Sequence, residues 1–491
     1  MAELETMLVT IRRIIDATGA SVIVDADDNE RMISNVVWDS REVVPGALYI
    51  ALPGERVDGN DFIIPAIDNG AAAIIATRPV TKEECERVVA GKVTLLRATD
   101  GVKALQDVAR DYRSSLTAKV VAVTGSSGKT STKELIKTVL ATAFETVFSV
   151  GNRNNELGLP GTVLSANPGT EVLITEMGMR GHGQIRELAD IAQPDIGIVT
   201  NIGHAHLELL GSRSEIARAK GELIEALKDG RGIAVLNGDD PYSSLIRQAA
   251  DTAARDIRVV SFGLGKQNDI RADHIVYDDL GRPSFDLWTG SAEPLRVKLQ
   301  LQGEHSVYNA LAATATALML GMTPNRIARA LAQAESQPMR QNTITLQSGA
   351  VVVDDSYNAN PDSMRAALEM LARMESTRPH IAVLGDMGEL GPESDYLHEQ
   401  IGAMVYDTGV NQLITVGESA KFYAAGARSA GMDDARISCF EDTARATRAL
   451  VALEAKKPII LIKASRFMGL EQITRALVSG EPPAVESDGG R

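Results

Sequence analysis

The chain has 491 residues, of which 44% are hydrophobic and 23% charged, and a formal net charge of −15. This length predicts about three domains and this composition a folded globular protein. The acidic balance argues against broad nucleic-acid binding. No run approaches the ~20 apolar residues that span a bilayer, and the acidic opening Met1–Glu5 lacks the shape of a signal peptide. The two cysteines, Cys85 and Cys439, lie far apart and show no metal-ligand spacing. The expectation is a cytoplasmic protein with no nucleic-acid partner and no membrane insertion.

Residues 1–115 read as a first α/β unit. An amphipathic helix is expected at Leu8–Ile15, then strands at Val36–Arg41, Ala47–Leu52 and Ala71–Ala76. The turn Asp58-Gly59-Asn60-Asp61-Phe62 leads into a helix. Ser40 and Arg41, at a predicted strand end, are either an anion contact or a solvated pair.

Residues 116–337 carry the clearest chemistry. The apolar run Val120–Val123 ends in Thr124-Gly125-Ser126-Ser127-Gly128-Lys129-Thr130, and a helical pattern follows through Leu140. Strand, small-residue turn, Lys-Thr and helix make a nucleoside triphosphate cradle. Backbone N–H groups of Gly125, Ser126, Ser127 and Gly128 face phosphate oxygens. Lys129 reaches the β- and γ-phosphates, and the Thr130 hydroxyl is placed for Mg²⁺. The loop departs from G-x-x-x-x-G-K-[ST], because Val123 stands where the first glycine belongs.

Further strands end in Glu176, Asn201 and Asn237, so these polar residues should line one crevice with the loop. Glu176 is a natural Mg²⁺ ligand, since that ion takes one or two carboxylates besides phosphate. Asn152 and Asn155, in Gly151-Asn152-Arg153-Asn154-Asn155-Glu156, could hold a polar substrate. In His204-Ala205-His206, one histidine could be a ligand if the segment is a loop. Lys220 alone reads as a solvated helical lysine, and Asn309, opening an alanine-rich helix, as a cap or a ligand contact.

Residues 338–480 repeat the alternation, with strands ending in Asp355, Gly385-Asp386, Gly417-Glu418 and Lys463. This reads as a second doubly wound sheet. Asp355 could accept from a ribose, and Lys463 with Arg466 could clamp a carboxylate. Residues 481–491 read as a disordered tail. The fold class is therefore α/β in three domains: an N-terminal α/β substrate domain, a central P-loop-type parallel-sheet ATPase domain and a C-terminal Rossmann-like domain.

The ordered set of motifs resembles the Mur ligase family over the whole chain. The resemblance rests on Asp39-Ser40-Arg41 with Asp58–Phe62, the Thr124–Thr130 loop and Gly151–Gly158. It also rests on Glu176-Met177-Gly178, Thr200–His206 and Ala219-Lys220-Gly221. Asp355-Ser356-Tyr357-Asn358-Ala359-Asn360-Pro361 and Gly385–Gly391 point to its dipeptide-adding branch. The resemblance implies ATP and Mg²⁺ as cofactors, with UDP-N-acetylmuramoyl-tripeptide and D-alanyl-D-alanine as partners, and a monomer in peptidoglycan precursor synthesis.

Lys129, His206 and Lys220 are the implied catalytic set. Thr130, Glu176, His206 and a carbamylated Lys220 are the implied metal set. Asn309 is implied to contact adenine, and Arg340 and Asp355 to contact ATP. Ser40 and Arg41 are implied at the uridine-nucleotide end; Asn152, Asn155, Asn358, Asn360, Lys463 and Arg466 complete the substrate contacts. Two positions depart from the family pattern: Ser306 stands where asparagine is common beside the adenine, and Ala464 where glycine is usual. The alternatives are a ligase of the same superfamily adding an amino acid, to a muramoyl peptide or to a folate, and a P-loop regulatory ATPase that forms no amide bond.

Overall fold

Three large sheets, each in its own stretch of sequence, and a two-stranded ribbon of Val9–Thr10 with Met32–Ile33 organise the computed structural model, which describes residues 9–26, 28–54 and 57–480. The tail 481–491 and Leu8, the first residue of the expected opening helix, lie outside the described residues. That helix runs instead over Ile11–Thr18. Thr10 sets its start, accepting from the Arg13 N–H through its hydroxyl, and Gly19 ends it at φ 62°.

The first sheet has five strands, in the order Ser21–Val24, Thr94–Arg97, Ala73–Ala76, Leu48–Ile50, Val36–Val37. The last four are parallel. Their unbroken apolar runs fit burial on both faces. The strand expected over Val36–Arg41 stops at Val37. The Asp39 carboxylate accepts from the Arg41 backbone N–H and pulls Ser40–Glu42 into a 3₁₀ turn.

The second sheet has nine strands. Seven are parallel, and Lys119–Thr124 lies between Val172–Glu176 and Ile196–Val199. Strand order reverses there, which opens a crevice at the carboxyl end of Lys119–Thr124. The expected parallel sheet extends further, through two antiparallel strands, Pro283–Trp288 and Leu295–Lys298. Pro283–Trp288 alternates buried and half-buried positions, the pattern of a sheet with one wet face. Helix Lys129–Leu140 packs under the sheet against Glu304–Met319, whose buried Ala310, Ala313 and Ala317 permit close approach.

The third sheet runs Asn342–Thr345, Val351–Asp355, Ile459–Lys463, His380–Gly385, Gln412–Val416, Ile437–Phe440, with only the first strand antiparallel. Ile459–Lys463 sits at a second switch point. The second and third units join on both sides of the crevice. On one side Leu280 packs into the third unit's core and Glu375 N–H donates to the Asp279 carbonyl at 2.9 Å. On the other, the His204 backbone N–H donates to Asp362 at 2.7 Å, and its Nδ1 lies 2.9 Å from the same carboxylate. Among the described residues no helix is long and apolar enough to cross a membrane.

Helices Ser394–Asp407 and Ala420–Ala430 touch backbone to backbone through Gly402 and Gly426. A methyl group on Gly402 would sit 2.0 Å from the Tyr423 carbonyl oxygen. Gly402→Ala should therefore cost roughly 1–3 kcal/mol or more, seen as a lower melting temperature; an unchanged melting temperature would contradict this packing.

Candidate active site

The carboxyl ends of the second and third sheets face each other across a cleft of about 1030 Å³. One wall is the loop between strand Lys119–Thr124 and helix Lys129–Leu140. Hydrogen bonds with the neighbouring strand end hold it. The Thr200 hydroxyl and the Asn201 amide donate to the Ser127 carbonyl at 2.7 and 3.1 Å. Asn201 Oδ1 accepts from Ser127 N–H at 3.0 Å, and its carbonyl accepts from Ser126 N–H at 3.0 Å. Gly128 takes φ 75°, and a methyl group there would meet Asn309 Oδ1 at 2.9 Å. The bonds to Asn201 occupy the Ser126 and Ser127 N–H groups that were expected to face phosphate, which leaves the N–H groups at the start of helix Lys129–Leu140 to form the cradle.

Lys129 donates to its own loop's Gly125 carbonyl at 2.7 Å. Enclosure in the cleft pulls its ammonium below the ordinary lysine value; Glu176 opposes this and Arg340 adds to it. Glu176 is buried, and each oxygen has a donor: Thr130 Oγ1 at 2.9 Å and Asn154 Nδ2 at 2.8 Å. His206 begins a short helical turn at φ 65°. Burial first, then Lys220, Lys129 and Arg180, lowers its pKa to about 4. The imidazole is therefore neutral at neutral pH, so its 3.3 Å approach to Glu389 is no ion pair. Its Nδ1 is buried without a hydrogen-bond partner among the described residues.

Lys220 is 1% exposed, and no acceptor among the described residues hydrogen-bonds its ammonium. Burial, with Lys129 adding, drives its pKa well below the ordinary value. The surface-lysine reading is thereby overturned. Apposed Thr130 and Glu176 oxygens and a neutral histidine with an unpartnered nitrogen fit a hard divalent cation. A second cation near Lys220 would need that side chain to become an anion.

The third unit supplies the opposite wall. Lys463 donates to Asp355 at 2.6 Å and to the Asn358 carbonyl at 3.0 Å. It is an internal tie before it is a ligand for anything else. Arg340 stacks over Tyr357 at 3.9 Å and lines the cleft. Asn360 caps helix Pro361–Ala372, and Arg466 reaches Glu471 at 2.9 Å; both also line the cleft. Asn152, Asn155, Asn309, Asp355 and Asn358 line it too.

Ser40 and Arg41 do not line this cleft. Ser40 is buried in the first unit, and Arg41 is paired with Asp39, which that pairing lowers to about 2. Sequence reasoning missed Lys133 and Asp362, and it named Tyr357 only as part of a motif, with no role of its own. Lys133 had one available signal: it lies four residues after Lys129, on the same helix face, at a spacing that also carries buried side chains.

A phosphate cradle at one switch point, facing a second doubly wound unit, defines an enzyme that works on a nucleoside triphosphate between two domains. Residues 32–113 match the family model for the Mur ligase family, catalytic domain. Residues 123–317 match the Mur ligase middle domain, and residues 339–466 the Mur ligase, glutamate ligase domain. The chain belongs to the Mur ligase family. It is 38% identical to UDP-N-acetylmuramoyl-tripeptide--D-alanyl-D-alanine ligase of Mycobacterium tuberculosis, over 97% of this chain and 98% of that one. The crystal structure of MurF from Acinetobacter baumannii superposes with a TM-score of 0.84 at 30% identity, covering 97% of this chain and 100% of that one. MurF ligase from Thermotoga maritima in complex with ADP superposes with a TM-score of 0.78 at 29% identity, covering 91% and 97%.

A methyl group on Gly125 would fall 1.8 Å from Thr200 Oγ1. Gly125→Ala should displace the loop and weaken binding of an ATP analogue at least about tenfold, measured by equilibrium titration; unchanged affinity would contradict the cradle.

Proposed function

We propose that this chain joins D-alanyl-D-alanine to the terminal carboxylate of UDP-N-acetylmuramoyl-tripeptide, driven by ATP. The observation that carries the proposal is the phosphate cradle facing Arg340 and the Lys463–Asp355 pair across one cleft. Relatives bearing that activity in their names match nearly the whole chain. The ADP held by the Thermotoga protein supports ATP as the nucleotide.

In this reading Lys129 leaves the Gly125 carbonyl for the β- and γ-phosphates, since a charge-assisted contact is the stronger one. Arg340 adds charge from the third unit. The single tie from Lys463 fixes one oxygen of Asp355 and leaves the other for the nucleotide. Asn309 sits against the loop, with Thr132 donating to its Oδ1 at 3.0 Å, in position to contact the base. Thr130, Glu176 and His206 would hold Mg²⁺, whose charge offsets that of the triphosphate and the incoming carboxylate.

The tripeptide carboxylate attacks the γ-phosphorus, the bond to ADP breaks, and an acyl phosphate forms. The neutral dipeptide amine then attacks the acyl carbon, phosphate leaves with the carbon–oxygen bond pair, and the proton lost by the nitrogen leaves with that phosphate. Closure of the cleft excludes water from the acyl phosphate. Asn152 and Asn155 would meet the peptide, and Ser40 and Arg41 the uridine end, so the substrate must lie extended from the first unit into the cleft. Asn358, Asn360 and Arg466 would receive the dipeptide. A lysine with a depressed pKa is an amine free to add carbon dioxide. Carbamylation of Lys220 would supply the missing anion for a second cation.

Phosphate release from ATP and Mg²⁺, with each substrate omitted in turn, tests the proposal. Strict dependence on both substrates is expected, with loss of turnover in Lys129→Ala and a lower rate once carbon dioxide is stripped. Release without either substrate would favour a regulatory ATPase, and turnover with a single amino acid would favour another ligase of the superfamily.

A further inference from the structure

Among the described residues, Lys133 and Lys220 are the lysines that rank with the largest fully buried side chains. It lies one helical turn beyond Lys129, and its side chain is 0% exposed. The ammonium donates to the Ser149 carbonyl at 2.5 Å and to the Gly151 carbonyl at 3.4 Å. It also lies 3.2 Å from Glu134 and 3.8 Å from Glu176 Oε2. A buried cation is retained at a cost unless its partners over-determine it. Here those partners come from three separate parts of the site.

The segment Ser149–Asn155 is held between this cation and Glu176. The Ser149 hydroxyl accepts from Glu176 N–H at 3.3 Å, and Asn154 donates to Glu176 Oε1 at 2.8 Å. The Asn154 carbonyl accepts from Gly178 N–H at 2.8 Å. Asn152 and Asn155, on the same segment, line the cleft. Lys133 therefore touches no expected ligand, yet it ties the phosphate helix, the asparagine segment and the Glu176 carboxylate into one unit.

We propose that Lys133 is a positioning residue. It fixes the Ser149–Asn155 segment for the peptide substrate and, by its charge, restrains how strongly Glu176 holds a divalent cation. The inference rests on the ligase reading for the identity of that substrate, but its cation arm does not depend on turnover. Outer-shell partners of metal ligands shift metal affinity by about 10–100-fold. Here the sign is unusual: removing the cation leaves Glu176 with more uncompensated negative charge.

The experiment compares the full-length protein with Lys133→Met and Lys133→Arg. Calorimetric titration of Mg²⁺, with a non-hydrolysable ATP analogue present, reads the cation site without chemistry. Steady-state rates read the KM for muramoyl tripeptide. Lys133→Met should bind Mg²⁺ roughly threefold to tenfold more tightly and raise the tripeptide KM about tenfold, with kcat changed less. Lys133→Arg keeps the charge, so its Mg²⁺ affinity should stay at the wild-type value while the KM rises; it carries the test if the methionine variant does not fold. A variant that is merely less stable, with Mg²⁺ affinity and KM unchanged, would overturn the proposal. So would weaker Mg²⁺ binding in Lys133→Met. A tightened cation site in a protein that makes no amide bond would leave the positioning role standing and remove the ligase reading instead.

Discussion

Everything at the cleft depends on the loop Gly125–Gly128 being held in shape by its neighbour strand. Thr200 and Asn201 take up the Ser127 carbonyl and N–H groups and the Ser126 N–H group. A bare backbone loop would sample many shapes, and each residue fixed costs ~1–2 kcal/mol of conformational entropy. Here that ordering is already complete in the protein itself. The glycines are needed where Thr200 and Asn309 come closest, not merely to loosen the chain. The strand-order reversal beside Lys119–Thr124 brings Thr200 and Asn201 to one side of this loop and Glu176 to the other.

The second constraint is electrostatic. Burial lowers the pKa values of Lys129, Lys220 and His206 first, and the neighbouring cations Arg340, Lys129, Lys220 and Arg180 add to it. Lys129 and Arg340 both line the cleft, one from the phosphate loop and one from the third unit, so a triphosphate bound there meets positive charge from two sides. The third unit contributes Arg340 from the chain segment that joins it to the second, and the His204–Asp362 contact links the two units beside the phosphate loop.

Much of this was legible in the sequence for a simple reason. Apolar runs buried on both faces of a parallel sheet are continuous, and each ends in the polar residue that marks its carboxyl end. Val120–Val123, Val172–Thr175 and Val351–Val353 therefore located the loop, Glu176 and Asp355 together. The antiparallel extension through Pro283–Trp288 was harder to see, because a short half-buried strand that alternates polar and apolar residues presents no continuous apolar run. Lys220 was misjudged and Lys133 missed because lysine is so rarely fully buried. Only the resemblance to known ligases gave Lys220 a role, while Lys133 needed the fold to show what surrounds it. Arg41, Asn360 and Lys463 carried a different ambiguity: each has an internal partner or capping role that the sequence could not display.

The central claim is that the cradle holds the γ-phosphate for attack by a carboxylate rather than by water. Labelling the tripeptide's terminal carboxylate with heavy oxygen tests it most directly. After one turnover with ATP and D-alanyl-D-alanine, the account predicts one labelled oxygen in the released phosphate for each amide bond formed. Label absent from phosphate, with oxygen from solvent in its place, would contradict it.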